Sequence, residues 1–259
     1  MRSLVSLSIL FLSASCNTQP EEDVKSRAST FDHTFESIFE EKYLASGIFQ
    51  RSQKESVETG SWMFTNLARP MVMYGEYSDG YPTGKWTVIL SENAGFSSNW
   101  SVYTNSITHC SFSLPFPIKE TFVDSFFFKL STVNDSLGKI SIIVAVNGAH
   151  VSETHFPRFG DSVDEGLRNK GYTFAKTTHQ IANGKGKYFF SEYSMKDSTG
   201  RFVKLYDIYG QDPSKRHFIQ VTLAHDGPRE EWMKIVFNLI VTSLYIDGDR
   251  FFNPYTVKN

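Results

Sequence analysis

Residues Gly75 to Trp86 read GEYSDGYPTGKW. Asp79-Gly80 is a strong signal for a two-residue hairpin, because a type I′ turn needs positive φ at both central positions. Flanking alternation supplies the strands: Val72, Tyr74 and Glu76-Tyr77 before the turn, Trp86, Val88 and Leu90 after it. Pro82 lacks an amide donor, which predicts a looped rather than a paired connection there. Gly84 is expected to swing the chain back so that Trp86 covers the hairpin.

The same pattern occurs once more upstream. Gly47 to Phe64 reads GIFQRSQKESVETGSWMF. Both stretches have a glycine, an aromatic two residues on (Phe49, Tyr77), a polar turn, then Thr-Gly, one residue and Trp. The tryptophans, Trp62 and Trp86, are 24 residues apart. Such self-similarity marks one supersecondary unit used twice. The motif resembles the MORN-like repeats, β-hairpin units found in many copies in bacterial antitoxin-like repeat proteins. The better copy ends at Trp86, and the first is degenerate. Two units bury little core alone, so this β-module, residues 46–90, is expected to lean on its neighbours.

The N-terminus reads as a targeting segment, residues 1–15. Arg2 precedes an apolar run, Leu4 to Leu12, followed by Ser13-Ala14-Ser15 and Cys16. Short, basic-led apolar runs ending in small residues are export signals. With Cys16 next, the segment resembles the lipobox of bacterial lipoproteins, in the looser form of the Bacteroidetes lineage. The resemblance implies lipid attachment at Cys16 and an outer-membrane location, on the periplasmic or the surface face. Residues 16–30 then form an acidic tether with Glu21, Glu22 and Asp23. No apolar run reaches the roughly 18 residues a bilayer-spanning helix needs.

Apolar positions 31, 35, 38, 39 and 43 predict a short helix over residues 31–45. Ser91 to Tyr103 is rich in Ser and Asn and reads as a loop. A second module, residues 104–247, is expected to be α+β. Strands are predicted at Cys110–Leu114, Thr121–Leu130, Lys139–Val146, Thr173–Ile181, Gly186–Ser194, Arg201–Tyr209 and His217–Ala224. A short helix is predicted over Ser162–Tyr172, capped by Ser162, and a longer one over Glu230–Tyr245 with an apolar stripe. The opening FSLP (Phe112 to Pro115), the Phe/Tyr hairpin and the final IVTSL (Ile240 to Leu244) resemble the Mog1/PsbP/DcrB-like α/β sandwich. That resemblance implies binding, assembly or accessory proteins rather than enzymes. The expected fold is therefore α+β: a small antiparallel hairpin module, then an α/β sandwich with a C-terminal helix and a tail, residues 248–259.

The net charge of −2 shows no basic stripe, so no nucleic-acid partner is expected. Only Cys16 and Cys110 are present, which excludes a CxxC metal or redox site. His150 and His155, with Glu153 between, are five apart and suit neither one strand face nor one helix face. No metal or other cofactor is expected, and no catalytic residues are assigned. Gly184-Lys185-Gly186-Lys187 lacks the Walker spacing, and Asp161, Asp164 and Glu165 suit a helix start. A hydrolase built on His150 and His155, or an antitoxin-like sequestering protein, are the rival readings. The aromatics Trp62, Tyr77, Tyr81 and Trp86 either stack as core or form an exposed partner-binding patch. The reading that results is a lipid-anchored envelope protein with a non-enzymatic binding or accessory role.

Overall fold

A computed structural model describes residues 28–51, 56–91, 94–124, 126–132, 139–147, 155–183, 186–211, 217–226 and 229–255. Among these the chain forms sixteen strands and two helices. The first seven strands follow one another as neighbours: β1 (Ala28–Glu36), β2 (Lys42–Arg51), β3 (Ser56–Asn66), β4 (Val72–Ser78), β5 (Tyr81–Ser91), β6 (Ala94–Asn105) and β7 (Cys110–Leu114). Two short strands after the last helix, β15 (Tyr245–Ile246) and β16 (Asp249–Arg250), extend the edge beyond β7 to make a nine-stranded antiparallel sheet. The second sheet has seven strands. It is built from β8 (Ile118–Val123), β9 (Phe127–Thr132), β10 (Ile140–Asn147), β11 (Thr173–Asn183), β12 (Gly186–Lys196), β13 (Phe202–Gln211) and β14 (Phe218–His225). Its order is β11-β12-β13-β14-β10-β9-β8, again antiparallel throughout.

Helix α2 (Glu230–Thr242) lies between the two sheets, with ten of its thirteen residues buried. Trp232 packs on Phe96 and Trp100 of the first sheet, with centroids at 4.3 and 6.2 Å. Phe237 packs on Phe190 and Tyr206 of the second, at 6.2 and 5.7 Å. A helix apolar around most of its circumference suits such a central layer, and its charged residues Glu230, Glu231 and Lys234 are the three that are not buried. Asn238 Oδ1 accepts from the Ile38 amide, and Ser243 Oγ accepts from the Ser113 amide. One continuous apolar core therefore joins both sheets through α2. Helix α1 (Phe156–Asn169) covers the far face of the second sheet.

The expected α+β class is corrected. The molecule is mostly β, with two curled antiparallel sheets and only two helices among the described residues. Among the described residues the strands of this sheet already include Ala28–Glu36 and run on past residue 90, so the hairpin module is part of a larger sheet. Helix α2 is not a terminal cap, because the chain continues into β15 and β16. The helix expected over residues 31–45 is β1 and the turn into β2. Phe31 and Phe35 are an even number of residues apart, so one strand face carries both. There they meet Phe49 and Tyr43 of β2, at 4.8 and 5.6 Å. Cross-strand packing of this kind outweighs a weak helical period.

The expected loop over Ser91–Tyr103 is mostly strand β6. Its Ser and Asn positions hide an alternation of Phe96, Ser98 and Trp100. The predicted strand Thr121–Leu130 breaks in two, because Asp124 Oδ1 accepts from the Phe126 and Phe127 amides and closes a turn. Helix α1 starts at Phe156 with Pro157 in its first turn, so Ser162 is interior and donates to Arg158 O instead of capping. Pro82 sits in β5 opposite Tyr77, not in a loop. The tail packs back, with Phe251 and Phe252 buried and Tyr188 Oη donating to Phe251 O at 2.7 Å.

Candidate functional site

The two hairpin units follow one physical scheme. Asp79 and Gly80 have φ of 51° and 82°, the pair of positive values a type I′ turn requires. A Cβ on Gly75 would lie 2.2 Å from the Trp86 ring, and one on Gly47 would lie 2.1 Å from the Trp62 ring. Each tryptophan thus lies flat on bare glycine backbone. The ladder carries a register shift at both glycines. Trp86 Nε1 donates to Glu76 O, and Trp62 Nε1 donates to Ile48 O and Thr59 O, all near 3.1 Å. Tyr77 meets Trp86 edge-on at 5.3 Å, as Phe49 meets Trp62 at 5.0 Å.

This packing places the aromatics singled out by sequence. Trp62, Tyr77 and Trp86 are buried and face α2 and the tail, so they offer no outer surface. Burial pushes the Tyr77 hydroxyl well above its usual range, with the nearby Glu58 carboxylate adding to it. Tyr81 is half-buried; its ring lies 5.0 Å from Tyr245 and its hydroxyl 2.6 Å from Ser111 Oγ. Cys16, His150, Glu153, Gly184 and Lys185 lie outside the described residues. His155 is exposed at the N-cap of α1. Asp164 accepts from Lys176 Nζ at 3.0 Å and from Tyr193 Oη at 2.7 Å, an arrangement that docks α1 on its sheet. Cys110 is buried, and burial pushes its thiol up to about 11.

Alternation puts a different set on the opposite face of the same strands. Met63 pairs with Tyr74, and Tyr74 with Thr87; one row away, Val72 pairs with Ile89 and Thr65 with Leu44. Met63 and Tyr74 are each 46% exposed, and Ile48 and Ile89 are also exposed. The face carries Ser46, Thr65 and Thr87 between these apolar groups. No strand or helix among the described residues covers it. Sequence reasoning reached only the inner half of the pattern. The signal for the outer half was present in the residue beside each inward aromatic, Met63 after Trp62 above all.

Three polar features lie elsewhere. Arg250 Nη2 is 2.7 Å from Glu58 Oε1, and both side chains are buried. Arg250 Nε donates to Thr242 O, and the Gly80 amide donates to Glu58 O. Burial works against the Arg250 charge, but Glu58 outweighs it and holds the guanidinium protonated. In the second sheet Asp207 is buried and accepts from Thr222 Oγ1 at 2.6 Å and Gln220 Nε2 at 2.9 Å. Burial raises its carboxyl to about 6, against the lowering pull of those hydrogen bonds. A cavity of about 250 Å³ is lined by Ser194, Phe202, Lys204, His225, Asp226 and Glu230. Its charges are already engaged: Lys204 Nζ lies 3.1 Å from Glu230 Oε1, and Arg201 pairs with Asp226. Among the described residues no three His, Cys, Asp or Glu side chains converge as a metal site.

No family model matches the chain, and no curated protein matches it. Solved structures resemble part of it. One is PsbP (CyanoP) of Synechocystis sp. PCC 6803, at 13% identity and a TM-score of 0.44, covering 60% of this chain and 96% of that one. Another is the Ran-binding protein Mog1p of Saccharomyces cerevisiae, at 10% identity and a TM-score of 0.41, covering 59% and 97%. Likenesses this distant carry no function across.

Proposed function

We propose that this protein is a lipid-anchored component of the cell envelope that binds a protein partner and performs no catalysis. The observation that carries the binding role is the open outer face of the nine-stranded sheet, centred on Met63 and Tyr74. Contiguous apolar surface of this kind, set among hydroxyl groups, marks interaction sites. The inner face of the same strands is filled with tryptophan and tyrosine, which gives the platform a rigid backing. We take the two hairpin units to be MORN-like, used here to build a binding sheet rather than a long array. Anchoring rests on Cys16 following Leu4 to Leu12 and the small residues Ser13 to Ser15. The outer membrane is the expected site.

Two experiments test the proposal. Cys16→Ala should move the protein from the membrane fraction to the soluble envelope fraction; unchanged partitioning would contradict the anchor. For binding, the anchored protein and its Met63→Glu/Tyr74→Glu variant are crosslinked in the native host and purified. A partner bound by the parent and lost by the variant, at unchanged thermal stability, supports the reading. Identical profiles from the two proteins would remove the outer face from consideration.

A further inference from the structure

The β8–β9 hairpin ends in three phenylalanines that are exposed and that no other strand or helix among the described residues covers. Phe126 is 62% exposed, Phe122 48% and Phe127 36%. Phe122 and Phe127 stack at 4.8 Å with an interplanar angle of 16°, so the tip presents a fixed apolar wedge. Asp124 Oδ1 caps the amides of Phe126 and Phe127, and the Val146 amide donates to Phe126 O at 2.7 Å. β8 is the outer edge of its sheet, so the tip lies at the margin of the molecule.

Two lysines stand behind the rings, and the one carboxylate of the turn, Asp124, is turned onto the backbone amides of Phe126 and Phe127. Phe122 pairs with Lys129, and Lys119 with Ser131, so both lysines share the face of Phe122 and Phe127. Neither makes an ion pair among the described residues. The only carboxylate on β8, β9 or β10 is Glu120, which points to the other face and accepts from Tyr103 Oη. Helix α1 covers the β11–β14 part of this sheet face, through Leu167 on Tyr193 and Leu205 and Phe156 on Phe218. No helix among the described residues covers the β8–β10 part.

We propose that this tip is a second membrane contact, in which the three rings enter the acyl boundary of an anionic bilayer while Lys119 and Lys129 meet its headgroups. Rings at the margin with cations set just behind them match the layering of a lipid surface. Lysines set behind exposed rings, with the turn carboxylate already held by backbone amides, favour an anionic lipid surface over an apolar protein groove, which offers the lysines no partner. The contact does not depend on Cys16, because it rests on residues more than a hundred positions away.

The test uses the full-length chain with Cys16→Ala, so that no acyl group is attached, and a reporter Phe126→Trp. The four native tryptophans are all buried, so the new indole is the one that meets lipid. Vesicles of phosphatidylcholine alone are compared with vesicles containing phosphatidylglycerol. The expected result is a blue-shifted emission on the anionic vesicles, quenched by brominated acyl chains. Lys119→Ala/Lys129→Ala should weaken partitioning roughly thirtyfold. Unchanged emission on vesicles would overturn the proposal. So would an equal response to both lipid compositions, or a shift that follows protein concentration without lipid, which would assign the tip to a second copy of the chain. The reporter senses the tip alone, so vesicle binding through the leader would not be mistaken for it.

Discussion

Glu58 and Asp207 are equally buried, one in each sheet, and they are stabilised by different partners. Glu58 faces the guanidinium of Arg250, which arrives from the far end of the chain. Asp207 meets only the neutral donors Thr222 and Gln220 close by, with Lys176 acting at longer range. A full counter-charge faces the first carboxylate and holds the Arg250 guanidinium protonated; neutral donors leave the second carboxylate short of compensation, and burial raises its proton affinity. The difference follows from what each must hold. Glu58 and Arg250 pin the returning tail, with β15 and β16, to the hairpin sheet. Asp207 sits on a continuous sheet face under α1 and ties nothing distant.

The largest expected effect comes from breaking the ionic pair on one side. Arg250→Ala leaves Glu58 buried without its cation and should destabilise by about 3–5 kcal/mol, read by denaturant unfolding. Arg250→Met with Glu58→Leu removes both charges and should recover most of that loss. If Arg250→Ala alone costs nothing, the pair does not hold the tail.

Next comes the glycine platform. Gly75→Ala puts a methyl group inside the Trp86 ring, and overpacking of this kind costs about 1–3 kcal/mol, sometimes more. Gly171→Ala is the control. It has positive φ but open space around it, so it should cost less, about 1 kcal/mol.

Asp207 gives an effect of comparable size but opposite sign, visible as a pH dependence. Its carboxyl titrates at about 6 in the folded chain and near 4 when unfolded, so the folded form binds the extra proton. Its contribution to stability is therefore highest in acid and falls as pH rises from about 4 to above 6, by roughly 3 kcal/mol. Asp207→Asn should flatten that slope and be more stable than the parent at neutral pH. A parent whose stability rises monotonically over this range, with no difference in the variant, would refute the assignment. The smallest expected effect on stability is on the open face: Tyr74→Glu should stay within about 0.5 kcal/mol of the parent.

Local chemistry made part of this readable from sequence. Asp79-Gly80 specifies its turn through two dihedrals, and the Gly-to-Trp spacing recurs because an indole needs bare backbone beneath it. Helix α2 is legible because its apolar residues run through Trp232, Ile235, Val236, Leu239 and Ile240 at helical spacing. Long-range pairing was not readable. Glu58 and Arg250 are 192 residues apart, and nothing local to either marks the other. Strand β1 was read as a helix because Phe31 and Phe35 fit both periods until β2 is placed beside them. Strand β6 was missed because Ser and Asn interrupt its apolar positions.

Of the candidate site, the sequence marked Trp62, Tyr77, Tyr81 and Trp86, and three of the four are core. The outward set is carried on the intervening positions of the same strands. Which face of a sheet is covered depends on what packs there, and here α2 and the tail take the tryptophan side.

The central claim is that the outer face of the nine-stranded sheet holds a protein partner while the inner face serves only as core. A photoreactive amino acid placed at Met63 in the full-length protein, and separately at the exposed Phe202 of the other sheet, tests it in the native host. The expected result is a discrete crosslinked adduct from position 63 that is absent from position 202 and is lost when Tyr74→Glu is added. No adduct at position 63, or the same adduct from both positions, would contradict it.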